Sequence, residues 1–136
     1  MSVTVAEAAE LYGQCKMWEL KGVEELKHLS LDQMAAGYNG IGADWMPEAL
    51  VKKITKYFSV FEPAAFIHDM EYAYDDDRSR DAFKNANRRF LVNCLACLYK
   101  LYCLTDKRLW GGIPKAWALY RCVRDFGWKA WEQGGK

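Results

Sequence analysis

The feature that most restricts the fold is a long helical pattern that begins at Ser79. From there to about Thr105, apolar side chains recur every three or four residues, the spacing of one face of an α-helix. The chain has three prolines and few runs of β-branched residues. These features together predict an all-α fold. The apolar stripe consists of Phe83, Ala86, Phe90, Leu91, Cys94, Leu95, Leu98 and Leu101.

Shorter helical patterns lie on both sides of this stripe, and turn residues punctuate them. The most distinctive signal is a capping box, in which a serine is followed three residues later by a glutamine. The predicted helices are one or two over 4–29, broken near Gly13 or Gly22; one over 31–36 after the capping box of Ser30 and Gln33; one from Pro47 to about Phe58; one from Pro63 to Tyr74; and a last one opened by Pro114 after a hinge at Gly111 and Gly112.

Composition limits the class of protein. A chain of 136 residues that is 51% hydrophobic and 27% charged is typical of one folded domain rather than a disordered polymer. We therefore predict a single domain over 1–136. The net charge of +1 argues against a globally basic nucleic-acid binder. No nucleic-acid partner is therefore expected.

Neither an export signal nor a membrane span is evident in the sequence. The first ten residues hold two glutamates and no basic segment, and no stretch approaches the roughly 20 apolar residues of a membrane helix. We therefore expect synthesis in the cytoplasm, with the final location left open. The five cysteines cannot all pair within the chain, so we expect reduced and mostly buried thiols.

Two segments could form a chemical site. The first is a glycine-rich turn over 37–44, where freed backbone carbonyls of Gly40 and Gly42 can converge on a hard cation. The second is the predicted helix that carries His68, Asp69 and Tyr72, in which His68 and Tyr72 share a face. Asp69 could add a carboxylate ligand, because calcium combines carboxylate and main-chain oxygens.

The Tyr38-x-Gly40-x-Gly42 loop followed by His68-Asp69-x-x-Tyr72 resembles the phospholipase A2 superfamily. The resemblance covers about 37–95 and is closer to the bacterial, phage and viral-capsid branches than to the secreted animal enzymes. It implies a small helical domain with two long antiparallel central helices, over about 63–74 and 79–105, beside the glycine-rich loop. Residues 1–36 and 106–136 would be helical additions to this phospholipase A2-like core.

The resemblance also implies a calcium-dependent lipid ester hydrolase. Calcium would be bound by Asp69 and the carbonyls of Tyr38, Gly40 and Gly42, and would polarise the ester carbonyl. His68 would act as general base on a water molecule. Tyr72 and the residue at position 87 would complete the catalytic set. Trp45 and Met46, just after the loop, would line a slot for the acyl chain or belong to the core.

Two positions depart from the family pattern. Ile41 and Ala65 stand where many bacterial relatives have a disulfide. Asn87 stands where the family has the aspartate that orients the catalytic histidine. An asparagine accepts the same hydrogen bond but supplies no negative charge, so the resemblance implies a weak enzyme or an inactive relative. The alternative is a non-catalytic helical module, of phage or bacterial type, that binds a partner or assembles.

The end of the chain combines basic and aromatic residues. Over 107–129 there are six basic residues and one acid, together with five aromatic residues, and Trp131 follows. This composition is typical of a surface for a membrane or phospholipid, or for a protein partner. Alternatively, the tryptophans fill the core and the arginines face the solvent.

Overall fold

The computed structural model describes residues 3–38 and 47–134, and within these ranges it is all-α with no strand. Two 3₁₀ segments, Val23–His28 and Ser59–Phe61, connect longer helices. The α-helices are α1 Val5–Met17, α2 Leu31–Gly37, α3 Glu48–Tyr57, α4 Glu62–Tyr74, α5 Arg80–Leu101, α6 Lys107–Phe126 and α7 Trp128–Gln133. None of the described helices is both long enough and apolar enough to cross a membrane.

Side-chain caps fix where several helices begin. The Ser30 hydroxyl accepts a hydrogen bond from the Gln33 amide, and the Gln33 side chain accepts one from the Ser30 amide, which confirms the predicted capping box. Thr4 and Glu7 form a second capping box at α1. Ser79 caps α5, as predicted. Each cap satisfies backbone N–H groups that have no partner within the helix.

Helices α4 and α5 form an antiparallel pair at the centre of the fold. His68 stacks on Phe90 with ring centroids 4.5 Å apart, whereas Tyr72, one turn later in α4, contacts Phe83, two turns earlier in α5. Because the contacts run in opposite directions along the two helices, the pair is antiparallel. The prediction of two central helices is therefore confirmed, with bounds of 62–74 and 80–101.

The other helices cover this central pair. Helix α1 packs on α4, where the Cys15 thiol donates a hydrogen bond to the Pro63 carbonyl at 3.2 Å. Helix α6 packs along α5, where Gly112 allows the side chain of Leu98 to come close to its backbone. Most of the buried apolar side chains form one cluster, and a smaller cluster around Phe83 and Trp131 lies beside it.

A buried asparagine ties the segment after α1 to helix α5. The Asn93 side chain accepts a hydrogen bond from the Lys21 amide at 2.8 Å and donates one to the Lys21 carbonyl at 2.9 Å. Gly22 follows with φ +89°, a conformation that favours glycine. The amide of Asn93 therefore satisfies both backbone groups of a residue that belongs to no regular helix.

The sequence predicted one helix break correctly and placed one helix end too late. The chain breaks near Gly22, one of the two predicted places: α1 ends at Met17, and the 3₁₀ segment Val23–His28 begins directly after Gly22. It does not break at Gly13, which lies inside α1. Helix α5 ends at Leu101 rather than Thr105, because Tyr102 is extended and the chain must turn before Asp106 caps α6.

The predicted hinge at Gly111 and Gly112 is also absent. Both glycines and Pro114 lie inside α6, which is continuous from Lys107 to Phe126. A proline at this position removes one helical hydrogen bond. Helix α6 packs along α5 on both sides of the proline, from Leu109 to Ala116, and this packing offsets that loss.

Candidate functional site

The centre of the candidate site is a three-residue hydrogen-bond network between α4 and α5. The Oδ1 atom of Asn87 lies 2.9 Å from Nε2 of His68 and accepts a hydrogen bond from the Tyr72 hydroxyl at 2.8 Å. His68 and Tyr72 are one helical turn apart on α4, and Asn87 faces them from α5. The structure therefore brings together the three residues predicted as the catalytic set.

The network is buried, and burial determines the protonation state of the histidine. His68 is 6% exposed and Asn87 is 2% exposed. Burial lowers the pKa of His68 to about 4; the hydrogen bond to Asn87 opposes this effect and the charge of Arg89 adds to it. At neutral pH the imidazole is therefore uncharged, which is the form that a general base requires.

Asn87 influences which ring nitrogen of His68 carries the proton. With Oδ1 facing the ring, Nε2 of His68 donates its proton and Nδ1 keeps a lone pair that could accept one from water. An aspartate could only accept, and would enforce this tautomer. The Asn87 amide can present either end, and its Nδ2 is buried without a partner in this orientation. Asn87 therefore holds the ring in place but fixes the tautomer less strictly than an aspartate.

Aromatic side chains hold the network from two sides. The His68 ring stacks on Phe90, with centroids 4.5 Å apart, and contacts the tilted ring of Tyr72, with centroids 4.3 Å apart. Helix α7 places the fully buried Trp131 edge-on against Tyr72, with ring centroids 5.1 Å apart. A Cβ atom on Gly127 would lie 2.6 Å from the Tyr72 hydroxyl. The end of the chain thus packs on the tyrosine side of the network.

An arginine fastens α7 to α4. Arg78 donates hydrogen bonds to the Tyr72 carbonyl at 2.7 Å and to the Trp131 carbonyl at 3.1 Å. Its guanidinium also lies over the Trp131 ring, 4.0 Å from the centroid. These contacts satisfy carbonyl groups at the end of α4, which lack helical partners. They also fix the position of the tryptophan that packs on Tyr72.

A partly buried ion pair lies next to the network, with the Arg89 side chain 35% exposed and the Glu71 side chain 10% exposed. Arg89 pairs with Oε2 of Glu71, while Oε1 of the same carboxylate is buried without a partner. Burial raises the pKa of Glu71, and Arg89 counteracts this effect. The pair neutralises charge that would otherwise be costly so close to the imidazole.

Two of the predicted calcium ligands are described. Tyr38 is buried at the end of α2, and Asp69 is half-buried on α4. They are close enough for the Asp69 charge to contribute to the raised pKa of Tyr38, after burial and Glu62. A carboxylate and a main-chain carbonyl are oxygen donors, so their chemistry fits calcium. Gly40 and Gly42 lie outside the described residues, as do Trp45 and Met46. Among 3–38 and 47–134, no group of three His, Cys, Asp or Glu side chains could hold a metal ion.

The sequence reasoning missed the partners that surround the network. The motifs assign no role to Glu71 or Arg89. Glu71 nevertheless lies three residues after His68, and Arg89 lies two residues after Asn87. Trp131 was considered only as part of the basic, aromatic end of the chain. No local signal links it to Tyr72, because the two are almost 60 residues apart.

Comparisons of the chain with protein-family models, with curated proteins and with solved structures gave no match.

Proposed function

We propose that this protein is a phospholipase A2-like, calcium-dependent lipid ester hydrolase of low activity. The observation that carries the proposal is the buried network in which a neutral His68 is hydrogen-bonded to Asn87 and flanked by Tyr72. An uncharged imidazole that is held in place through one ring nitrogen is the form that a general base requires. The linear motifs at 38–42 and 68–72 support the same reaction.

In the proposed reaction, Nδ1 of His68 takes a proton from a water molecule, and the water oxygen attacks the ester carbonyl. The resulting imidazolium passes that proton to the leaving alcohol. Asp69 and the carbonyls of Tyr38, Gly40 and Gly42 would hold calcium, which when bound would stabilise negative charge on the ester oxygen. With one carboxylate among these ligands, we expect modest calcium affinity.

Low activity follows from Asn87. As the imidazole becomes charged, an aspartate would stabilise it with its negative charge, whereas the neutral amide stabilises it only weakly through its hydrogen bond. In serine proteases, exchanging the corresponding aspartate for asparagine costs about 10⁴ in rate through the wrong tautomer. Asn87 is thus the positioning residue that limits the proposed reaction.

The decisive experiment measures fatty-acid release from phospholipid mixed micelles by the full chain in calcium or EDTA. We expect slow, calcium-dependent release by the wild type, none by His68→Gln, and a large gain for Asn87→Asp. The exchange should also raise the pKa of His68 and fix its proton on Nε2, both visible in nitrogen-15 NMR spectra. If neither the wild type nor Asn87→Asp releases fatty acid in calcium, the hydrolase proposal is wrong.

The second candidate is a non-catalytic helical module on the same scaffold that binds a partner or assembles. The observation that favours it is again Asn87, because its amide is hydrogen-bonded to the histidine but supplies no negative charge to stabilise an imidazolium. This candidate predicts that Asn87→Asp changes stability but brings no turnover.

A further inference from the structure

One exposed face of α6 carries aromatic and basic side chains in a regular row. Trp110 is 58% exposed and Trp117 is 44% exposed, and Arg121 and Arg124 are exposed beyond them. Spacings of seven, four and three residues keep these four side chains on one side of the helix. At about 1.5 Å per residue the row is about 21 Å long. We call these four residues the α6 stripe.

Side-chain contacts order both ends of the stripe. The Trp117 ring meets the Tyr120 ring edge-on, with centroids 5.9 Å apart, and the Arg124 guanidinium lies over the same tyrosine at 5.8 Å. At the other end, the Trp110 indole N–H donates a hydrogen bond to the Leu104 carbonyl at 2.8 Å. Leu104 is itself 69% exposed, so it extends the apolar part of this surface.

The core does not need these tryptophans. Helix α6 packs on α5 with a different side, about 120° around the helix axis from the stripe, where Leu109, Gly112 and Ala116 are buried. The core uses other tryptophans: Trp131 is fully buried, and Trp18 and Trp128 pack against buried residues. Two large, exposed indole rings on an already packed helix are therefore available to an external partner.

Charge indicates what kind of partner fits. Helix α6 holds five basic residues, of which four are exposed and Lys115 is half-buried, and a single acid, Asp125, which forms an exposed ion pair with Arg124 at 2.9 Å. Since the whole chain has a net charge of +1, the remainder carries an excess of acid. Positive charge is thus concentrated on the helix that exposes the tryptophans. Indole rings partition to the interface of a bilayer, and arginine and lysine bind lipid phosphates.

We propose that the α6 stripe docks this protein on an anionic lipid surface. The helix would lie along the surface, with Trp110 and Trp117 at the level of the headgroups and Arg121 and Arg124 on lipid phosphates. The stripe lies outside the region that resembles a known family. It also goes beyond the proposed function, because binding through α6 does not require turnover at His68.

Co-sedimentation of the full chain with vesicles tests the proposal in EDTA, so that calcium plays no part. We expect binding to vesicles rich in phosphatidylglycerol, much weaker binding to pure phosphatidylcholine, and loss of binding as salt rises from about 0.1 M to about 1 M. Exposed tryptophan fluorescence should shift to the blue on binding. Each basic residue near an anionic surface contributes roughly a fivefold gain in affinity.

Matched variants locate the contact. Arg121→Gln with Arg124→Gln should weaken binding by roughly 25-fold, whereas Lys84→Gln with Arg88→Gln, which removes the same charge from exposed sites on α5, should have little effect. Trp110→Ala with Trp117→Ala should also weaken binding and remove most of the fluorescence shift. Circular dichroism checks that each variant is folded.

Three results would overturn the proposal. The first is no binding to anionic vesicles, and the second is an equal loss from the α5 control pair. The third is a concentration-dependent dimer that the tryptophan exchanges abolish, which would make the stripe a protein–protein interface. None of these results bears on hydrolysis at His68, so the two proposals fail separately.

Discussion

At the scale of single residues, the buried imidazole of His68 is the most consequential group. The protein keeps it neutral by excluding water and by placing the charge of Arg89 nearby. Asn87 opposes this effect through its hydrogen bond, but without a charge it does so weakly. The same burial that prepares a general base therefore makes protonation of the folded protein unfavourable.

This unfavourable protonation predicts a pH-dependent stability. Burial depresses the pKa of His68 to about 4, below the ordinary value of 6.5. Between these values the unfolded chain binds a proton that the folded chain does not. The neutral His68 therefore makes its full contribution to the free energy of unfolding above about pH 6.5. As the pH falls towards 4, the free energy of unfolding decreases by at most about 3 kcal/mol. Urea unfolding from pH 7 to pH 4, in EDTA, measures it.

Two variants test the assignment to His68. His68→Gln should lower stability at pH 7, and its deficit relative to the wild type should shrink as the pH falls. His28→Gln, at an exposed position on the first 3₁₀ segment, serves as the control and should follow the wild-type profile. Parallel profiles for the wild type and His68→Gln would show that the imidazole does not titrate as the structure indicates.

The sequence was sufficient to identify the centre of the site but not its surroundings. The spacing of four residues predicts that His68 and Tyr72 share a helix face, whereas the place of Asn87 beside them was implied only by the family resemblance. The stack on Phe90 and the packing of Trp131 on Tyr72 depend on how two helices and a distant third meet. No local pattern contains that information.

At the scale of secondary-structure elements, the contact between α5 and α6 depends on one of two adjacent glycines. A Cβ atom on Gly112 would fall well inside van der Waals contact with the methyl groups of Leu98, whereas one on Gly111 would meet nothing within 4 Å. Leu98 is fully buried and has little freedom to move aside. The contact between the helices therefore needs a glycine at position 112 but not at position 111.

This contrast predicts opposite effects of the same substitution. Gly111→Ala should stabilise the protein by about 0.5–1 kcal/mol, because alanine favours a helix interior. Gly112→Ala should destabilise it by about 1–3 kcal/mol through overpacking. Urea denaturation measures both. Adding Leu98→Ala should be less harmful in Gly112→Ala than in the wild type. Equal shifts of the same sign for the two glycines would contradict this account of the interface.

The sequence predicts the start of a helix well where a side chain caps it, and poorly where contacts with another helix determine it. The starts of α2 and α5 follow from Ser30 and Ser79, which carry their own hydrogen-bond signal. Pro114 was expected to open a helix, because its ring suits a first turn. The structure instead places it mid-helix, since contacts on either side of it hold α6 against α5. Such tertiary compensation leaves no trace in local propensity.

At the scale of the whole molecule, the thiols divide into two environments. Cys15, Cys94 and Cys97 are buried, and Cys103 and Cys122 are exposed. The sequence-based expectation of reduced, mostly buried thiols agrees with this division. Burial raises the pKa of Cys15 and of Cys97 to about 12, and raises that of Cys94 as well. A hydrogen bond with Thr105 lowers the pKa of Cys103.

This division predicts the pattern of thiol labelling. Because the thiolate is the reactive form, a disulfide reagent should modify two cysteines quickly in the folded protein, Cys103 before Cys122, and the other three only in denaturant. Mass spectrometry of digested samples identifies the labelled positions. Cys103→Ser with Cys122→Ser should leave almost no rapid reaction. Rapid labelling of a third thiol under native conditions would refute the predicted burial.

The two hydrogen bonds between the Asn93 side chain and the Lys21 backbone restrict which residues position 93 can accept. An aspartate at position 93 could not donate to the Lys21 carbonyl, and a leucine could make neither hydrogen bond. A glutamine is longer by one methylene group, so the Lys21 backbone would have to move. At position 21, by contrast, only main-chain atoms are engaged, so almost any side chain would do. Over evolutionary time we expect position 93 to stay an asparagine while its partner varies freely, a signature that no hydropathy profile would reveal.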